Sequence, residues 1–319
     1  MKKIFFSLCG GLVLLVSSLS AFAQAGYPDK PVRYIIPFAP GGESDIAARF
    51  QQLVFKKKYH QEMIVESKPG AGGALAWSLA NSYPGDGYTL ISTNLPHLVL
   101  QPMEGTVQYK TDDINNVYFY HYTPDAIVVR NESPFKTYQD LVKAAKVKAE
   151  AVSMAGSGTN SANHVANVRF EGAAGIKLNY VPFKGTGDLV SSLLGGHVDA
   201  AMSYVTLAIA QKGRTRMLAI ATEKRHPQFP DTPTFKELGI DWVDGAYRGV
   251  AVPKSTPPEL RKRISDIFAE INQDPEFRQR MADGGFEVID VPVEKVPAFM
   301  AERTKIYSEI AKRMGLTGK

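Results

Sequence analysis

Short apolar, β-rich runs alternate with stretches of helical periodicity along most of this chain, and that alternation limits its fold more than any other feature. The runs are Val32–Ile36, Met63–Glu66, Tyr88–Ser92, Ala126–Arg130, Ala151–Ala155, Leu178–Pro182, Val198–Ser203 and Met217–Ala221. Helical patterns fill the gaps at Ser44–Lys58, Gly73–Ser82, Thr137–Val147, Ser161–Ala174, Gly187–Leu194 and Val205–Gln211. Short strand runs separated by single helices predict an α/β fold, with parallel sheets covered by helices.

Beyond Pro257 the character changes. Leu260, Ile264, Ile267, Phe268 and Ile271 recur at helical spacing over Pro257–Gln273. Val296, Phe299, Met300, Ile306 and Ile310 do the same between Val293 and Met314. Both faces are of the kind that packs on a core. Two extended apolar segments, Ala126–Arg130 and Tyr247–Pro253, are natural crossing strands between two lobes. The chain would leave lobe one at the first, complete lobe two and return at the second. Residues 24–124 plus 250–319 then form lobe one and residues 125–249 lobe two, with a ligand cleft between them.

Four glycine-rich loops fall where a strand run hands over to a helical one. The first is Pro37-Phe38-Ala39-Pro40-Gly41-Gly42-Glu43-Ser44-Asp45. Its prolines stiffen the loop and its glycines allow a ligand close to the backbone. The first-turn N–H groups of the helix that follows lack intrahelical partners and lie at the positive end of the helix dipole. Such a loop suits an anion, although an ordinary strand-to-helix turn has the same sequence pattern. The others are Pro69-Gly70-Ala71-Gly72-Gly73, Gly156-Ser157-Gly158-Thr159-Asn160-Ser161 and Lys184-Gly185-Thr186-Gly187-Asp188. Ligands of open α/β sheets bind beyond the carboxyl ends of the strands. Four such loops, spread over both lobes, predict a backbone-lined anion cleft.

The N-terminus reads as an export signal. Lys2 and Lys3 precede the apolar run Ile4–Leu19, and Ala21-Phe22-Ala23 supplies an A-x-A site, so residues 1–23 form a signal peptide cleaved after Ala23. The run contains Ser7, Gly10, Gly11, Ser17 and Ser18 and is shorter than the roughly 20 residues of a membrane span. Cys9, the only cysteine, lies inside it, which leaves the mature chain without a disulfide, thiolate metal site or thiol nucleophile. Removing Lys2 and Lys3 lowers the formal charge from +5 to +3. That charge, without a basic cluster beyond Lys56-Lys57-Lys58 at a helix end, argues against nucleic-acid binding.

Catalytic motifs are missing at recognisable spacing. Gly156–Ser161 departs from a dinucleotide fingerprint at Ser161, and no loop has a P-loop ending. Ser157 does not sit in G-x-S-x-G. His60, His97, His121, His164, His197 and His226 form no i, i+4 pair and no H-E-x-x-H, so neither a metal nor a cofactor is expected. His97, past a strand end, and His164, just after the third loop, are placed either to line the cleft or to pack. Tyr118, Tyr120 and Tyr122 would share one face of an extended segment. Trp77 reads as core, and Arg248 as a solvated cation or as the partner of a carboxylate.

Longer motifs resemble one family. They are Tyr27-Pro28-Asp29-Lys30-Pro31-Val32-Arg33, Pro37–Gly42 with Asp45, Lys68-Pro69-Gly70-Ala71-Gly72-Gly73, Pro84-Gly85-Asp86-Gly87-Tyr88-Thr89-Leu90 and Ser133-Pro134-Phe135-Lys136-Thr137. Val181-Pro182-Phe183-Lys184-Gly185, Leu194-Gly195-Gly196-His197-Val198-Asp199 and Phe229-Pro230-Asp231-Thr232-Pro233-Thr234 complete the set. In this order, over essentially the whole mature chain, they resemble the Bug (TctC-like) family, the periplasmic solute-binding proteins of tripartite tricarboxylate transporters.

The resemblance implies a two-lobed, Venus-flytrap (type II) periplasmic binding protein, each lobe a mostly parallel sheet flanked by helices. It implies a small carboxylate ligand (dicarboxylate, tricarboxylate, aromatic or amino-acid-like) and delivery to the large and small integral-membrane subunits of a transporter. No catalysis, no cofactor, no nucleic acid and a monomeric state go with it. Phe38, Ala39, Pro40, Gly41 and Gly42, with Ala71, Gly72 and Gly73, would meet the ligand carboxylate, flanked by Ser44 and Asp45. Gly156, Ser157, Gly158, Thr159 and Ser161, with His164, would close from the other lobe, and Thr93, Asn94, Thr186 and Ser203 would line strand ends that also face the cleft. A sensor presenting its solute to a membrane receptor, or an exported hydrolase, are the competing readings.

Two positions depart from the family pattern. Ser67 replaces the usual Asn, and Glu43 stands where relatives often carry a small or neutral residue. A carboxylate about 4 Å from an anionic ligand costs on the order of 4 kcal/mol at an effective dielectric of about 20. Glu43 is therefore expected to point into water, to meet a ligand amine or hydroxyl, or to weaken anion binding.

Overall fold

The structure is a computed structural model that describes residues 26–183 and 186–316. The expected signal peptide and cleavage site, Cys9, and Lys184 and Gly185 of the fourth loop lie outside the described residues. From the N-terminus run β1 (Val32–Ile36), α1 (Glu43–Tyr59), β2 (Met63–Ser67), α2 (Ala74–Ser78), β3 (Thr89–Leu95), α3 (His97–Glu104) and β4 (Asn115–Arg130). Next come α4 (Tyr138–Val147), β5 (Ser153–Ser157), α5 (Ala162–Ala174), β6 (Asn179–Phe183), α6 (Thr186–Leu194), β7 (Ala200–Tyr204), α7 (Val205–Ala210) and β8 (Thr215–Ile220). β9 (Gly245–Val252) leads to α8 (Pro258–Asn272), α9 (Pro275–Gly284), β10 (Glu287–Pro292) and α10 (Val296–Arg313).

Two sheets share β4. Its first part pairs antiparallel with β9 and β10, β9 pairs antiparallel with β3, and β3, β1 and β2 run parallel. Its second part pairs antiparallel with β7 and β8, and β7, β5 and β6 run parallel. Each sheet is thus mixed. The parallel strands predicted from the alternation form one flank, and antiparallel pairs gather around β4. The change of partner falls at a proline: Pro124 is opposite Gly245 of β9, and Asp125 is opposite Tyr204 of β7. Proline has no N–H to give a ladder, which suits it to the point where one sheet stops and the next begins.

Helices cover both faces of both sheets. Val54 and Phe55 of α1, Ile264 and Phe268 of α8, and Phe277 of α9 fill one face of the first sheet. Trp77 of α2, Leu98 of α3, and Tyr307 and Ile310 of α10 fill the other. Leu141 of α4 and Phe170 of α5 cover one face of the second sheet, and Leu189 of α6 and Leu207 of α7 the other.

Two local expectations are corrected. Gly73–Ser82 is not one helix: Gly73, at φ 101°, caps its start, and after Leu79 it gives way to a 3-10 turn at Ala80–Ser82. A left-handed backbone cannot open a right-handed helix, so α2 begins at Ala74, and it spans only Ala74–Ser78 between two 3-10 turns. The three tyrosines do not share a face either. Register shifts between Asn116 and Tyr118 and between Phe119 and His121 insert extra residues in β4. Tyr118 and Tyr120 join the α8 side, while Tyr122 packs against Tyr247, ring centroids 5.3 Å apart, on the opposite face.

Candidate functional site

The end of β1 delivers the chain to α1 at the junction between the sheets. Ser44, Ala47, Ala48, Gln51, Val54 and Phe55 form the buried stripe of α1 and fix its axis. Its N-cap, Gly42, is extended (φ −78°, ψ 167°) and supplies no side-chain cap, so the first-turn N–H groups remain available as donors. Gly41 needs its glycine, with φ at +79°. Ala39, Pro40, Gly41 and Gly42 are exposed, and Phe38 is half-buried, edge-on to Trp77 (6.2 Å) and His97 (5.9 Å).

Asp45 braces this loop. Its Oδ2 accepts from Gly41 N–H at 2.9 Å and from Arg49 Nε at 3.0 Å. Burial alone would raise its pKa, but those two hydrogen bonds outweigh burial and hold the carboxyl below its usual range. Ser44 Oγ meets the Asn94 amide, whose oxygen, set by the surrounding donors, accepts from both Ser44 Oγ and Arg248 Nε at 3.2 Å.

Of the three expectations for Glu43, the structure removes one, because the carboxylate does not point into water. Its carboxylate forms an ion pair with Arg248 Nη2 and accepts from Thr206 Oγ1. Arg248 lies on β9 and is 4% exposed. Its Nη1 donates to Thr123 Oγ1 at 3.0 Å and to Ala246 O, and the guanidinium carbon sits 5.7 Å from the Tyr204 ring centre. The cation that the sequence offered for a ligand carboxylate therefore holds the carboxylate of Glu43. Thr206 is in α7, which packs on the second sheet, so Glu43 spans from the first sheet's helix to the second's. No glycine marks the β7–α7 joint, which is why the glycine pattern did not single out Thr206.

The second loop stands beside the first. Gln101 Nε2 donates to Ala71 O at 3.2 Å and Gly72 O at 2.9 Å, while Tyr109 donates to Gln101 Oε1 at 3.0 Å. A Cβ on Gly73 would lie 2.6 Å from the Trp77 ring, and Trp77 Nε1 donates to Ser92 O at 3.0 Å. Trp77 is core, as expected. His97 closes the group with its Nδ1 buried and without a partner. Burial, and secondarily the Arg248 charge, push its pKa down to about 4, so the ring is neutral.

In the third loop Ser161 caps α5, accepting from His164 N–H at 3.2 Å and donating to Gly158 O at 3.0 Å. His164 stacks on Tyr180 (4.4 Å, 17°), and its Nδ1 accepts from Asn160 N–H at 3.1 Å, which leaves the proton on Nε2. Burial lowers its pKa. Ser157 hydrogen-bonds Asn163 Oδ1, Gly156 is pressed against Tyr180, and Thr159 is exposed. The start of α5 reaches the crossing strands where Ala162, Tyr204 and Ala246 pack together.

Thr93, Ser203 and Thr186 are the remaining candidates. Thr93 is fully buried and donates to Asn116 Oδ1 at 2.7 Å, inside the first sheet. Ser203 is buried in β7 opposite Ala126, and Thr186 is exposed at the start of α6.

A two-sheet α/β fold joined by shared strands, with helix N-termini and glycine loops at the junction, is that of a periplasmic binding protein. The family described as tripartite tricarboxylate transporter family receptor (TctC) matches residues 47–316. A UPF0065 protein in the gbd 5' region of Cupriavidus necator is 30% identical over 304 residues, covering 94% of this chain and 93% of that one. A TctC solute-binding protein from Polaromonas has 30% identity and a TM-score of 0.72, covering 90% of this chain and 99% of its own. The periplasmic binding protein BugD has 26% identity and a TM-score of 0.81, covering 92% of this chain and 100% of its own. The chain belongs to the TctC family of solute-binding proteins, as its motifs implied.

Proposed function

We propose that this chain is an exported receptor, cleaved after Ala23 and monomeric in the periplasm, that captures a small carboxylate between two lobes. It then delivers the ligand to the large and small membrane subunits of a tripartite transporter. Lobe one comprises the first sheet and its helices, lobe two the second sheet, and β4 with the residues before β9 form the hinge. The uncapped N-terminus of the 17-residue α1, beyond Gly41 and Gly42, carries this reading, because it leaves backbone donors for one carboxylate. A hydrogen bond to a charged group contributes roughly 1.5–3 kcal/mol net. Two or three, with water excluded, support micromolar affinity, about −8 kcal/mol. Closure follows if the ligand contacts both lobes and so prefers the closed state.

Thermal unfolding of the refolded, ligand-stripped mature protein tests this. The panel spans mono-, di-, tri- and aromatic carboxylates, amino acids, neutral sugars and metal ions. A ligand at about 100 times its dissociation constant adds roughly 2.7 kcal/mol and raises the melting temperature. Stabilisation by a sugar or a metal, with none by any carboxylate, sinks the proposal.

A further inference from the structure

Resting on that reading, we infer that Glu43 sets the charge of the ligand this cleft accepts, favouring carboxylates with a single negative charge over di- and tricarboxylates. The donor inventory of Arg248 is the first reason. A guanidinium has five N–H groups. Nη1 serves Thr123 and Ala246, Nε faces the Asn94 amide oxygen, and Nη2 holds Glu43. One N–H remains, too few for the bidentate grip by which arginine captures a carboxylate.

The second reason is that the other arginines and histidines nearest the junction among the described residues are committed or neutral, and Lys68, before the second loop, donates to Tyr83 Oη at 3.2 Å. Arg169 and Arg303 are committed to Asp244, at 2.9 and 3.3 Å. Arg49 is committed to Asp45. Burial keeps His97 and His164 neutral. One ligand carboxylate can use the α1 N–H groups, but a second would meet Glu43 with Arg248 already spent. Glu43, with acceptor capacity left beyond Thr206 and Arg248, instead suits a ligand amide, hydroxyl or ammonium donor.

Isosteric pairs test this by calorimetry at pH 7.5: succinamate against succinate, glutaramate against glutarate and adipamate against adipate. The wild type is expected to bind the monoamide of the best pair at least about tenfold tighter than its diacid, a gap of about 1.4 kcal/mol. Glu43→Gln is expected to close that gap, or to admit diacids the wild type refuses. Thr206→Val removes the hydroxyl and keeps the charge, so it should leave the ratio unchanged. Equal or tighter diacid binding by the wild type overturns the inference, as does an unchanged ratio in Glu43→Gln or an equal change in Thr206→Val. In those cases the carboxylate reading still stands. If no carboxylate binds either wild type or Glu43→Gln, the carboxylate reading fails and this inference with it.

Discussion

His97 makes the protein's stability depend on pH in a calculable way. Its folded pKa of about 4 lies below the ordinary 6.5 because burial, aided by Arg248, penalises the imidazolium. A depressed folded value means that the unfolded chain binds the proton first. The stability is present above pH 6.5 and is lost as pH falls toward 4. Between pH 7 and pH 5 the linkage integral for this one group is on the order of 2 kcal/mol. His97→Phe removes the titration and keeps an aromatic ring against Phe38. Urea unfolding followed by circular dichroism at both pH values should show the wild type losing about 2 kcal/mol more than the variant. His121, His164 and His226, whose pKa values are also lowered by burial, titrate in both proteins and cancel in the difference. Losses equal to within about 0.5 kcal/mol would mean that the ring takes up a proton in the folded state at an ordinary pKa, and would refute the argument.

Three further outcomes follow. A Cβ on Gly245 would lie 1.9 Å from Thr123 O, so Gly245→Ala should force the crossing strands apart at a cost of about 3 kcal/mol or more, read in urea. Arg248→Met leaves Glu43, with a side chain 17% exposed, without its cation. It should cost about 3 kcal/mol, with Glu43→Gln in the same chain restoring much of the loss in a double-mutant cycle. Asp125 is held protonated above its ordinary 3.8 by burial and then by the nearby Asp244 charge. Its contribution is full below that pH and is lost as pH rises through the folded value, so the stability advantage of Asp125→Asn should grow from pH 4 to pH 8.

Much of this was legible in the sequence because the signals were local. β1, β2, β5 and β6 lie within two residues of their apolar runs, and α5 begins one residue past its Ser161 cap. The first half of β4 was missed because Asn115, Asn116 and two bulges break its period-2 pattern, and β10 because it pairs only with that half. At the site, the glycine loops pointed to the strand ends. The ion pair of Glu43 and Arg248 is a contact across 205 residues that no local pattern encodes. The burial of Thr93 and Ser203 was likewise not legible, because a position near a strand end says nothing about which way the side chain turns.

The central claim is that the α1 N-terminus receives a ligand carboxylate, and amide chemical shifts report on it directly. In a nitrogen–proton NMR titration with the tightest-binding carboxylate, the backbone N–H resonances of Gly42, Glu43 and Ser44 should move downfield. The neutral amide counterpart of that carboxylate should move them far less. Tight binding that leaves these three resonances in place, with the largest shifts elsewhere, would contradict the account.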